Sequence, residues 1–157
     1  MRLLLDTHTF LWFIDDNPRL SSNAKSLLES DNDLLLSTAS LWEIAIKLSI
    51  GKLALPQPFE PFMRQQLSVN AIDVLQIETA HLSVVATLPF HHRDPFDRLL
   101  VAQASVEQLP IVSADVEFDA YSIQRQWQSL IALDGAQDDP LPRGCCGSII
   151  CGTKGRR

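Results

Sequence analysis

RLLLDTHTFLWFIDD, residues 2–16, contains the unit from which the chain is built: an apolar run, an acid, then a helix. RLLLD reads as a short buried strand, because its leucines follow one another without polar alternation. THTFLWFIDD then places Phe10, Leu11, Phe13 and Ile14 at helical spacing. The unit returns at DLLLS (33–37), followed from Thr38 by TASLWEIAIKLSIGKL, which is apolar at Leu41, Trp42, Ile44, Ala45, Leu48 and Ile50 and stopped by Gly51. It returns at AIDVLQI (71–77) with the helix ETAHLSVVATL, and a fourth strand, PIVSAD (110–115), follows an apolar helix over 95–108. Asn17-Pro18 breaks the first helix, and SSNAKSLLES forms a short amphipathic helix with a serine start. Pro56, Pro58 and Pro61 mark a loop before the helix PFMRQQLSV, and a turn or short helix around Phe118 leads into SIQRQW. Repeated strand-then-helix units predict an α/β fold: a mainly parallel sheet covered by helices on both faces.

With 157 residues, 46% of them hydrophobic, the chain has enough length for one real core. No apolar run reaches the length of a membrane span, and Met1-Arg2 followed by three leucines lacks a signal-peptide layout, so a cytoplasmic protein is expected. Cys145, Cys146 and Cys151 all lie in the last stretch, which leaves the body without a disulfide framework or paired Cys-x-x-Cys motifs. Residues 1–133 are expected to form the domain, and 134–157, Gly- and Pro-rich without periodicity, a disordered or loosely attached tail. The formal charge of −6 divides into −7 for 1–133 and +1 for the tail. An acidic body argues against broad duplex binding through clustered Lys and Arg, so contact with nucleic acid would need another source of positive charge, and metal ions can supply it.

HHRDPFDRLLVAQA (91–104) crowds two aspartates around a proline at a helix entrance. Asp94 suits the N-cap and Pro95 the first helical position; Asp97 then falls in the first turn, where the helix dipole favours negative charge. Asp6 ends the first strand, Asp115 lies just past the strand IVS, and Glu43 sits about one turn into the helix after the second strand. In an open parallel sheet the carboxyl ends of the strands line the ligand crevice, so four carboxylates from four segments can converge there. Taken singly each has a plain role, and Ser40-Leu41-Trp42-Glu43 matches a capping box. Taken together they would repel one another unless cations neutralised them. An all-oxygen cluster suits Mg2+ or Mn2+, and metal-bound carboxylates suit phosphoryl chemistry.

LLLDTHTFLWF (3–13), STASLWEIAIKLSIGKL (37–53), HHRDPFDRLLVAQA (91–104) and IVSADVEFDAYSI (111–123), in that order and spacing, resemble the PIN-domain nucleases, and among them most of all the VapC toxins of prokaryotic toxin–antitoxin pairs. The resemblance covers roughly residues 1–130 and leaves the tail without a counterpart. It implies a PIN-like three-layer α/β/α sandwich and hydrolysis of RNA phosphodiester bonds. Asp6, Glu43, Asp97 and Asp115 are then the catalytic, metal-binding acids for one or two Mg2+ or Mn2+ ions. It also implies a small cognate antitoxin as partner and a homodimer. Of the two acids in DPFDR, counting back from Ala102-Gln103-Ala104 selects Asp97 for the family position and leaves Asp94 as a helix cap beside it.

Other residues carry weaker expectations. His8, His91 and His92 lie near the acids in sequence, with exposed loop positions the ordinary expectation and proton transfer the functional one. Thr7 and Ser113 adjoin key acids and suit either a ligand water or a plain cap. Lys47 forms an i,i+4 surface pair with Glu43 or, turned toward the groove, steers phosphate, as Arg93 and Arg98 also can. Trp12, Phe13 and Trp42 suit base stacking, although at helical spacing such residues more often belong to a core or interface. Two alternatives remain: a noncatalytic partner-binding α/β domain, and a haloacid-dehalogenase-type phosphatase, whose second Asp is replaced here by His8.

Overall fold

The computed structural model describes residues 1–128, so the sequence expected to form the tail lies outside the described residues. In chain order the elements are β1 (Arg2–Leu5), α1 (Thr7–Ile14), α2 (Ser22–Glu29), β2 (Asp33–Ser37), α3 (Thr38–Ser49), α4 (Phe59–Val69), β3 (Ile72–Leu75), α5 (Thr79–Thr87), α6 (Pro95–Glu107), β4 (Ile111–Val112), a 3-10 turn (Val116–Ala120) and β5 (Arg125–Gln126). The five strands form one sheet in the order β3-β2-β1-β4-β5, and all four pairings are parallel. Within SIQRQW the chain forms a two-residue strand, β5, beyond the four strands expected from the sequence.

The leucine runs explain the layering. Successive strand side chains point to opposite faces, so an unbroken apolar run demands cover on both. Leu3 and Leu5 of β1, with Leu34 and Leu36 of β2, pack into one core with Phe10 and Leu11 of α1, Leu28 of α2, Ile44 of α3 and Phe62 of α4. Leu4 and Leu35, from the same strands, face a second core with Leu100, Val101 and Ala104 of α6 and with Phe118 and Tyr121. Burying each leucine fully contributes about 1.5–3 kcal/mol, so truncating Leu4 or Leu36 to alanine is expected to cost ~2–5 kcal/mol. Among the described residues, no helix is long and apolar enough to cross a membrane.

The helix ends are set by local chemistry. Ser21 caps α2 by accepting the Ala24 N–H, and Asp94 caps α6 by accepting the Phe96 N–H at 2.8 Å, with Pro95 next and Asp97 in the first turn. The cap of α3 is Ser37, which accepts the Ala39 N–H. Ser40 is therefore already inside the helix, and the Ser40–Glu43 capping box suggested by the sequence does not form. After α3, Gly51 takes φ +68°, the left-handed conformation that ends a helix at little cost for glycine.

The chain runs from β1 to β2 to β3 on one side, then crosses back to place β4 and β5 on the other. The strand order thus reverses between β1 and β4, which is where parallel sheets form a crevice beyond their carboxyl ends. Asp6 follows β1 and Ser113 follows β4, so the two segments flank that crevice.

Candidate functional site

Asp6 occupies the N-cap position of α1, yet its side chain makes no cap hydrogen bond. It is buried, and its Oδ2 accepts a hydrogen bond from Ser113 Oγ at 2.8 Å, bridging the two central strands. Burial holds the Asp6 carboxyl above its ordinary range. His8 and the Ser113 hydroxyl pull it down, while the charges of Glu43 and Asp115 push it up.

Asp115 follows Ser113 closely, and its backbone N–H donates to Ser113 Oγ at 3.0 Å. Its Oδ1 accepts the Glu117 N–H at 2.9 Å, and its Oδ2 lies 3.1 Å from His92 Nε2. One serine hydroxyl therefore links the two acids: it donates to Asp6 and accepts from the backbone of Asp115.

Glu43 lies in the second turn of α3 and is buried against an ion pair with Lys47, Oε1 to Nζ 2.7 Å. Lys47 Nζ also lies 3.3 Å from His8 Nε2, so the expected i,i+4 pair forms and faces the segment that carries Asp6. Asp97 is the most perturbed of the four. Its carboxyl is pushed up to about 8, first by burial and then by the charges of Asp6, Asp94, Glu43 and Asp115. Asp97 thus lies within electrostatic reach of Asp6, Glu43 and Asp115, and Asp6 within reach of Glu43 and Asp115.

The other residues sort themselves differently. Arg98 does not face the crevice: it is buried and donates to the carbonyls of Pro89, Val85 and Leu88, tying the end of α5 to the start of α6. It also lies over the Phe90 ring at 3.9 Å. Arg93 is exposed. Trp12 and Phe13 pack with the core, whereas Trp42 is 59% exposed and meets Phe96 edge-on at 5.3 Å. His8 and His91 are exposed, as expected of loop-adjacent histidines, but His92 is buried between Phe118 and Tyr121. Thr7 is buried with no hydrogen-bond partner for its hydroxyl among the described residues.

Two groups of side chains carry donor types that suit a cation. Asp6, Glu43, Asp97 and Asp115 form an all-oxygen set suited to Mg2+ or Mn2+. Their fit is visible in the raised carboxyls of Asp6 and Asp97: anionic charge is concentrated and part-buried, with Lys47 paired to Glu43 alone. His92, Asp115 and Glu117 bring one ligand atom each within 4.8 Å of the others, a grouping able to hold a divalent metal. Sequence reading does not single out the second group: Glu117 lies outside the four-acid pattern, and the ordinary expectation for His92 is an exposed loop position. The aromatic residues of VEFDAY, which wall in His92, were the available signal.

An α/β sheet with acids gathered at its strand-order reversal defines the class, and comparison with known proteins gives the family. Residues 3–124 match the PIN domain family model, and the chain belongs to that family. It is 33% identical over 70 residues to ribonuclease VapC16 of Mycobacterium tuberculosis, a match that spans 41% of this chain and half of that relative's length. The fold resembles that of VapBC2 from Rickettsia felis, solved bound to a promoter DNA fragment (TM-score 0.60, 16% identity, 82% of this chain and 100% of that one). It also resembles VapBC-1 from nontypeable Haemophilus influenzae (TM-score 0.57, 19% identity, 80% of this chain and 97% of that one).

Proposed function

We propose that the protein is a metal-dependent endoribonuclease acting as the toxin of a toxin–antitoxin pair. The observation that carries this reading is the mutual electrostatic loading of Asp6, Glu43, Asp97 and Asp115, drawn from four separate segments. Membership of the PIN family and the likeness to a relative named a ribonuclease support it.

On this reading the four acids hold one or two Mg2+ or Mn2+ ions. When bound, such ions activate water for attack on a phosphodiester and offset the charge of the phosphate. The chain's own residues prepare the site. Ser113 fixes one oxygen of Asp6, Asp94 starts the helix that carries Asp97, and Arg98 anchors that helix entrance to the loop before it. Lys47, beside His8, sets positive charge next to Glu43, where an incoming phosphate would otherwise meet a protein of net charge −6. The structural neighbours include a toxin–antitoxin complex, and the reading extends to a cognate antitoxin covering this crevice, with a homodimer as the toxin's own assembly. A cytoplasmic setting belongs to the same reading.

The test is an RNA cleavage assay with and without Mn2+, with the cut sites mapped. Specific cleavage that requires Mn2+ and is blocked by chelation is expected. No cleavage of structured or single-stranded RNA under any divalent ion would favour a noncatalytic, partner-binding role.

A further inference from the structure

The His92 ring is held from every side. It is 2% exposed, lies 4.6 Å from the Phe118 ring and stacks on Tyr121 at 5.5 Å with 7° between the planes. Its backbone N–H donates to Tyr121 Oη at 2.8 Å, and that hydroxyl donates in turn to the Pro89 carbonyl at 3.2 Å. Such a clamp leaves the imidazole one orientation, with Nε2 3.1 Å from Asp115 Oδ2 and 3.7 Å from Glu117 Oε2.

The two ring nitrogens are not equivalent. Nδ1 is buried with no hydrogen-bond partner among the described residues, so a proton placed there would be desolvated and unpaired. A proton on Nε2 is received by Asp115. A histidine that ligates a metal normally donates its other ring N–H to a carboxylate, carbonyl or water. Ligation through Nε2 would require that proton on Nδ1, where the described residues offer no acceptor.

We infer that His92 is a positioning residue, not a metal ligand: its Nε2–H donates to Asp115 Oδ2 and aims that carboxylate into the crevice. The backbone N–H of Glu117 holds the other oxygen, so Asp115 is fixed at both ends with its remaining lone pairs free. The same loop passes the constraint onward, because the Asp115 N–H holds Ser113, which holds Asp6. The inference deepens the proposed function and rests on Asp115 belonging to the metal-binding acids.

Two measurements on the full chain test it. In the first, long-range nitrogen–proton correlation spectra of 15N-histidine protein are recorded without metal and with Mg2+. Nε2 is expected to keep its proton in both states. Loss of that proton on adding Mg2+, or a proton found on Nδ1, would overturn the inference. In the second, His92→Gln and His92→Asn are compared. The glutamine amide reaches the Nε2 position, while the asparagine amide stops near Nδ1. His92→Asn is expected to raise the Mg2+ concentration for half-maximal cleavage by about 10–100-fold, the usual cost of losing a group that orients a ligand, with His92→Gln restoring it to within about threefold. Equal losses in both variants would reduce His92 to packing and contradict the inference. Asp115→Asn serves as the reference: if it cleaves like wild type, the site assignment has failed, while the spectra still decide the His92 contact.

Discussion

Asp115 and Asp119 lie at opposite ends of one 3-10 turn, yet they belong to different electrostatic worlds. Asp119 forms a forked pair with Arg125, both contacts at 2.8 Å, and the guanidinium holds its carboxyl below the ordinary range. Asp16 is likewise held low by Lys25 at 2.6 Å. At the carboxyl edge of the sheet the shift is reversed: burial and neighbouring acids raise Asp6 and push Asp97 to about 8. Acids that serve solubility and local stability find a cation within the chain. Acids that raise one another's carboxyls and are partly withdrawn from water are the arrangement the proposed function reads as a site for an external cation.

The largest expected effect separates the two classes by function. Asp97→Asn and Asp6→Asn should each reduce RNA cleavage by more than the ~100-fold typical of a group that only orients a ligand. Asp119→Asn should leave cut sites and rate unchanged. Full cleavage by a folded Asp97→Asn protein would erase the contrast.

The metal-free protein should carry the same contrast in its pH dependence. An unfolded aspartate titrates near ~3.9, whereas folded Asp97 titrates near 8, so the folded state retains a proton that the unfolded state has lost. The associated stability is complete below the unfolded value and disappears as pH rises through the folded one. Melting temperature should therefore fall between about pH 5 and 8, and Asp97→Asn should flatten the slope. Asp16 and Asp119, shifted the other way, are already ionised across that window and contribute no slope. At the upper end of the window Asp97→Asn should melt above wild type, because asparagine stays neutral where the buried aspartate would have to ionise. An unchanged slope would show that Asp97 carries no such load.

Asp94 sharpens the comparison at smaller amplitude. Asp94→Ala should cost about 1 kcal/mol of stability through loss of the cap, while Asp94→Asn should be nearly silent. Thermal melts and cleavage assays of both decide it. Abolished cleavage in Asp94→Asn alongside intact cleavage in Asp97→Asn would move the site one helical turn. The smallest effect belongs to Asp16→Asn, for which neither melt nor cleavage should change, because exposed pairs contribute little.

Much of this was legible in the sequence because it is local. DLLLS forms β2 over the predicted residues, Asp94-Pro95-Asp97 takes the cap and first-turn positions, and the leucine runs demanded cover on both faces. Asp6 directly follows β1, Asp115 lies just past β4, Glu43 falls in the second turn of α3 and Asp97 in the first turn of α6, positions that chain order alone encodes. The rest depended on contacts between distant segments. Ser113 reaches Asp6 across 107 residues, which no spacing within a motif encodes. Arg98 suits phosphate steering by sequence, but its burial follows from three carbonyls at and just beyond the end of a neighbouring helix. β5 is two residues long, too short to show any period. Ser40 fitted a capping box by spacing alone, and Ser37 took the cap because β2 runs directly into α3 without a loop.

The central claim, that the crowded acids form a cation site, is tested most directly by calorimetric titration of Mn2+ into the metal-free protein at pH 7, repeated in buffers of different ionisation enthalpy. Saturable binding is expected, with release of a proton that disappears, along with most of the affinity, in Asp97→Asn but persists in Asp119→Asn. Absence of binding, or binding that Asp97→Asn leaves untouched, would contradict the account.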